Sequence, residues 1–199
     1  MRSCGYFNKV GRERVSMRRR RVHLSVMDLR YPIGPYSPPS TIGRAERDAW
    51  IAEVEALTGH LRNAVEGLSD DQLDQPYRTD GWTVRQVVHH IADGHMSAYM
   101  FVRLALTEPT PAIKPIEEAA WAELPDAKSG PIEPSLALTD ALHLRWVMLL
   151  RSLPDDDFKR SFRHPDGREL TLDWTLGYFA WHSRHHVAQI LNLRKRQGW

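Results

Sequence analysis

The chain has 199 residues, of which 42% are hydrophobic and 26% charged, with a formal net charge of +2 and one cysteine. That length suits one domain with a sizeable core, no apolar run is long enough to span a membrane, and a lone Cys4 near the N-terminus excludes an intradomain disulfide and a thiolate metal ligand. The first 26 residues hold eight basic residues against one acid, so the chain from Met27 onward carries a net charge of −5, which speaks against a nucleic-acid-binding face.

Residues 1–26, with the run Arg18-Arg19-Arg20-Arg21, read as a disordered basic extension or as upstream sequence from a mis-assigned start. No apolar stretch follows the arginines, so a secretory or twin-arginine signal is not expected, and the location expected is cytoplasmic. The domain is placed at 27–199. Pro32, Pro35, Pro38 and Pro39 forbid a regular helix over 28–40 and predict an extended strap across the domain. From about Gly43 to Leu68 the apolar residues Trp50, Ile51, Val54, Leu57, Leu61 and Val65 recur at three- and four-residue steps, predicting a first amphipathic helix. Ser69 reads as a capping residue in the turn that follows.

Thr83 is the expected N-cap of a second helix reaching Thr107, with Val84, Val87, Val88, Ile91, Ala98, Tyr99 and Val102 as its core stripe. Gln86, His90, Gly94 and Ser97 form a small, polar row beside that stripe, suited to a cavity wall. Between Glu108 and Ser135 lie six of the thirteen prolines, the mark of a long crossover loop, with a short helix over Glu117–Glu123. Ser135 reads as the N-cap of a third helix carrying Leu136, Leu138, Leu142, Trp146, Leu149 and Leu150, stopped by Pro154. Pro165-Asp166-Gly167 between short alternating segments signals a β-hairpin. A fourth helix then runs from Leu172 to Arg196, its basic end matching the negative C-terminal pole of the helix. The fold expected is all-α: a four-helix bundle with a long crossover loop and a small β-hairpin before the last helix.

The most informative stretch is Trp181-His182-Ser183-Arg184-His185-His186 on that last helix. Residues four apart share a helix face, so His182 and His186 can aim two imidazoles at one point, a common start to a transition-metal site. The same pair can equally be a polar edge. A second cluster, His89-His90 with His95, lies on another helix about ninety residues earlier, and bundles build metal sites from facing helices. Spacing alone does not choose between His89 and His90 as the third ligand.

The run Gly81-Trp82-Thr83-Val84-Arg85-Gln86-Val87-Val88-His89-His90-Ile91-Ala92-Asp93, taken with the His182–His186 segment, Tyr31-Pro32-Ile33-Gly34, Gln75-Pro76-Tyr77-Arg78 and the terminal Gly198-Trp199, resembles the DinB-like superfamily and within it the YfiT-type branch. The resemblance covers essentially everything from Met27 onward. It implies a metal-dependent hydrolase, related to bacillithiol S-transferases, in which His90, His182 and His186 hold one divalent ion per subunit, zinc or nickel, and it implies a homodimer. Three nitrogen ligands leave a coordination position open, the mark of a catalytic site. Such an ion activates either water or the thiolate of a low-molecular-weight thiol. The reading taken is water activation on a small-molecule substrate; the alternatives are thiol transfer and a non-catalytic metal-binding stress-response module. Ser183 stands where a zinc protease of the H-E-x-x-H kind has its glutamate, so the acid–base candidates are His185 and Asp93, with His89 behind them. Asp93 is expected either to orient a ligand histidine or to be a plain helix-surface acid; His95, five residues beyond His90, is expected as a core or pocket histidine and not a ligand, while His143, His164 and His60 carry no assigned role.

Overall fold

The computed structural model describes residues 28–199, so the expectation for residues 1–26 falls outside the described residues. Four long helices make the bundle. They are α1 (Arg44–Val65), α3 (Val84–Thr107), α6 (Glu133–Ser152) and α7 (Leu172–Gln197); between them lie α2 (Asp70–Leu73), α4 (Glu118–Trp121) and α5 (Pro125–Ser129). A 3-10 turn over Asp155–Lys159 leads into β1 (Ser161–Arg163), which pairs antiparallel with β2 (Glu169–Thr171) in the register Phe162 opposite Leu170. Both α1 and α3 pack against α6 and α7, so consecutive long helices α1 and α3 stand on one diagonal of the bundle and α6 and α7 on the other.

The helices begin where the sequence says they should when a cap is available. Thr83 accepts from the Gln86 backbone N–H while the Gln86 side chain reaches back to the Thr83 N–H, a reciprocal cap that fixes the start of α3. The loop before it is clamped: Tyr77 N–H donates to the Trp82 carbonyl and Val84 N–H to the Gln75 carbonyl, which sets Trp82 beside His90 with ring centroids 4.6 Å apart. At the far end, α7 closes on Gly198 at φ 75°, a left-handed residue that glycine adopts without a Cβ penalty.

Two expectations need correction. The cap of α6 is not Ser135: Ile132 precedes the helix and Pro134 sits in its first turn, where its missing N–H costs nothing. The buried face of α6 is also rotated from the one expected, running through Leu136, Thr139, His143, Trp146, Val147 and Leu150 and leaving Leu138 exposed. The short helix expected over Glu117–Glu123 is present as α4, and the crossover holds α5 besides. Pro125 opens α5 at the favoured first position, and the Ile113 N–H and Arg163 N–H bond across to lay the crossover along the hairpin.

The core falls into two clusters. One gathers Ile51, Val54, Val102, Trp146, Phe158, Phe162, Leu172 and Leu176 at the hairpin end. The other gathers Leu57, Leu61, Val84, Val87, Ile91, Leu136, Ile190 and Leu193 at the opposite end. Buried histidines lie where the two meet. The strap expected over 28–40 lies against α7, with Trp181 Nε1–H donating to the Gly34 carbonyl at 3.1 Å and the Tyr36 ring against Trp174, Tyr178 and Trp181. Gly177 permits this approach: a Cβ there would come within 2.9 and 3.0 Å of Trp50 ring carbons and closer still to the Tyr36 hydroxyl.

Candidate metal centre

Helix α3 contributes His90 and α7 contributes His182 and His186, all buried, and one nitrogen from each ring lies within 4.8 Å of the others. His90 Nε2 and His182 Nε2 are 3.2 Å apart. Two nitrogens bound to one tetrahedral ion at about 2.0–2.1 Å stand about 3.3 Å apart, so the spacing fits a divalent transition metal. Gly94, one turn beyond His90, borders these rings: a Cβ there would sit in ordinary contact, 3.6 Å from His182 Cε1 and 4.0 Å from His90 Cε1.

The protonation of the rings agrees with a ligand role. Burial holds His90 down to about 4 and His182 and His186 well below the ordinary histidine value, and the neighbouring rings push in the same direction. Neutral imidazole is the form that binds a metal. The tautomers agree as well. Gln189 Nε2–H donates to the Arg30 carbonyl, an atom that can only accept, so Gln189 Oε1 faces His186 and accepts from its Nδ1–H at 2.9 Å. That leaves His186 Nε2 as the lone-pair atom. On His182, Nδ1 meets His95 Nε2 at 3.3 Å, again keeping Nε2 free for the cluster.

His89 is held elsewhere. Its Nε2 donates weakly to the Gly130 carbonyl at 3.4 Å, and its Nδ1 accepts from the Ser135 hydroxyl at 2.7 Å, which binds it to the crossover and to α6. His185 stacks on Trp181 with centroids 4.6 Å apart, and its Nε2 accepts from Gln189 Nε2–H at 3.0 Å; burial lowers it to about 4. Asp93 is half-buried one turn after His90, and burial, with the Asp126 charge second, raises its carboxyl. It does not orient His182 or His186, whose second nitrogens go to His95 and Gln189. Gln189 and His95 are thus the supporting residues that the sequence left without a role. A Gln three residues after a candidate ligand on the same helix face was the available sign for the first. The cavities at Glu53, Leu57, Ser183 and Leu191, and at Arg62, Leu68, Ile132 and Leu136, lie away from the triad.

Comparison with known proteins gives a consistent neighbourhood. The family model described as the DinB superfamily matches residues 53–190. YfiT of Bacillus subtilis (strain 168), named for an inferred metal-dependent hydrolase activity, is 51% identical over 177 residues, 88% of this chain and 99% of that protein. A Bacillus cereus protein named for the same inferred activity is 51% identical over 172 residues, 86% of this chain and 99% of its own. The solved structure of YfiT from Bacillus subtilis, described as a probable metal-dependent hydrolase with an unusual four-helix bundle topology, superposes with TM-score 0.84 at 52% identity, covering 86% of this chain and 98% of the other. The mycothiol-dependent maleylpyruvate isomerase shares the fold alone, with TM-score 0.57 at 17% identity over 72% of this chain and 60% of that one.

Proposed function

This chain belongs to the DinB superfamily, and from that premise we propose that it is a metal-dependent hydrolase of small molecules whose divalent ion is held by His90, His182 and His186. The observation that carries the reading is the convergence of three buried imidazoles, from two helices, with their nitrogens within 4.8 Å of one another. Zinc suits a nitrogen-only set, and nickel is the other candidate. When bound, such an ion supplies Lewis acidity and lowers the pKa of water toward ~7.

The chain's own residues do the rest. Burial keeps the three rings neutral, so at neutral pH no proton competes for their lone pairs. Gln189 and His95 hold two of the rings in the tautomer that presents Nε2. Asp93 is the stronger acid–base candidate, because His185 has its Nε2 engaged by Gln189 and its face covered by Trp181. A carboxyl whose affinity for protons is raised by burial is better matched to proton exchange near neutral pH than an exposed one.

The test is a panel of chromogenic esters and amides offered to the metal-loaded protein, with and without low-molecular-weight thiols and a chlorinated dinitrobenzene. The proposal expects cleavage that needs no thiol, is lost on chelation and is lost in His182→Ala. Conjugate formation that requires the thiol, with no cleavage in its absence, would replace hydrolysis by thiol transfer.

A further inference from the structure

Beyond the three ligand positions four more histidines are buried among the described residues, and two of them, His95 on α3 and His143 on α6, lie almost wholly out of solvent. They are packed among Trp146 and Phe179, with the His95 ring 5.1 Å from Phe179 and 5.9 Å from Trp146 between centroids. Apolar side chains would fill this volume without leaving polar atoms to satisfy, so a polar pair here calls for a reason. We propose that His95 and His143 are positioning residues that fix the metal-facing nitrogen of His182, through a one-directional hydrogen-bond relay ending on the Val54 carbonyl of α1. The proposal rests on the reading of His182 as a metal ligand.

The direction of the relay follows from its last atom. A carbonyl oxygen only accepts, so His143 Nδ1, 2.7 Å from the Val54 carbonyl, carries the proton. A neutral ring carries one, which leaves His143 Nε2 bare, and burial pushes this ring down to about 4, so the neutral form holds at ordinary pH. The bare nitrogen lies 3.0 Å from His95 Nδ1, which therefore donates. His95 Nε2 is bare in turn and accepts from His182 Nδ1–H at 3.3 Å. The remaining nitrogen of His182, Nε2, is the atom 3.2 Å from His90 Nε2. One backbone carbonyl thus dictates the proton positions on three rings from three helices. It holds all of them as the Nδ1–H tautomer, which for a free histidine side chain in water is the less populated one. Reversing the relay would require the carbonyl to donate.

The consequence is a ligand preorganised before any ion arrives, and a metal site sensitive to a residue two links away. The experiment uses the full chain as wild type, His143→Phe and His143→Gln. Phenylalanine keeps the volume and removes the relay's anchor; glutamine restores an N–H for Val54 and an oxygen for His95 in the same order. Zinc affinity by chelator competition should fall about 10- to 100-fold in His143→Phe and largely return in His143→Gln. Ring nitrogen chemical shifts of the metal-free protein should show His95, His143 and His182 protonated on Nδ1 in wild type, and a mixed population at His182 in His143→Phe. Wild-type protein with His182 or His95 protonated on Nε2 overturns the relay even if the phenylalanine variant fails to fold. So does a folded His143→Phe with unchanged affinity and tautomers. Wild-type protein that takes up no zinc refutes the metal reading instead, since the tautomers are read without metal.

Discussion

Replacing Gln189 with leucine should weaken zinc binding without touching a ligand. Its amide serves three groups at once: it accepts from His186 Nδ1–H at 2.9 Å and donates to the Arg30 carbonyl at 3.2 Å and to His185 Nε2 at 3.0 Å. Leucine matches the volume but supplies neither donor nor acceptor. Arg30 is exposed and its carbonyl can return to water, whereas His186 and His185 are buried and cannot. A buried polar group left unpaired costs about 1–3 kcal/mol, so two of them, offset by the apolar gain of leucine, should lower stability by about 2–4 kcal/mol. Loss of an orienting partner should lower zinc affinity about 10- to 100-fold. Gln189→Glu separates the two effects. A carboxylate still accepts from His186 but faces the Arg30 carbonyl with no proton to offer, so zinc affinity should survive while the strap at Tyr31–Tyr36 becomes open to limited proteolysis. Chelator competition and urea unfolding read both variants. A leucine variant that binds zinc as tightly as wild type would show that the His186–Gln189 bond does not prepare the ligand.

The buried rings also make the metal-free protein acid-sensitive. His90, His143 and His185 are held at about 4 against 6.5 for a free histidine, so between those values the unfolded chain takes up protons that the folded chain refuses. For each such ring the move from pH 8 to pH 5 removes about 2 kcal/mol; urea midpoints should fall steeply over that range, and a flat profile would contradict the assignment. Gly177→Ala should cost about 1–3 kcal/mol by forcing Tyr36 and Trp50 away from α7, measured as a lower Tm; an unchanged Tm would mean the strap yields freely. Asp173→Ala removes the bidentate partner of buried Arg47, whose Nε and Nη2 bond it at 2.6 and 2.9 Å. Asp155 at 3.3 Å gives partial compensation, so urea unfolding should register a loss of about 2–4 kcal/mol rather than the full penalty of an isolated buried charge.

Much of this molecule can be read from its sequence, and the misses have physical causes. The long helices follow from apolar residues at three- and four-residue steps, and the start of α3 follows from Thr83 and Gln86. The choice of His90 over His89 does not follow from spacing, because both are buried on α3. In the fold, Ser135 of α6 and Gly130 of the crossover engage His89, while His90 is the ring that converges with His182 and His186. Serine suits a cap by residue type, but α6 already begins at Glu133 with Pro134 in its first turn, and the Ser135 hydroxyl bonds His89 instead. His143 is unremarkable in the sequence for a related reason. The apolar residues expected on the core face of α6 are Leu136, Leu138, Leu142, Trp146, Leu149 and Leu150; packing against α1 and α3 buries Leu136, Trp146 and Leu150 of these and turns Thr139 and His143 inward while Leu138 faces out. The rotation of one helix against two others is a tertiary property that local periodicity does not encode.

Metal content of the purified full chain tests the central claim most directly. After exposure to zinc and removal of excess, the account predicts about one divalent ion per chain in wild type and none retained in His182→Ala at equal folded content. Full occupancy in that variant, or none in the wild type, would contradict it.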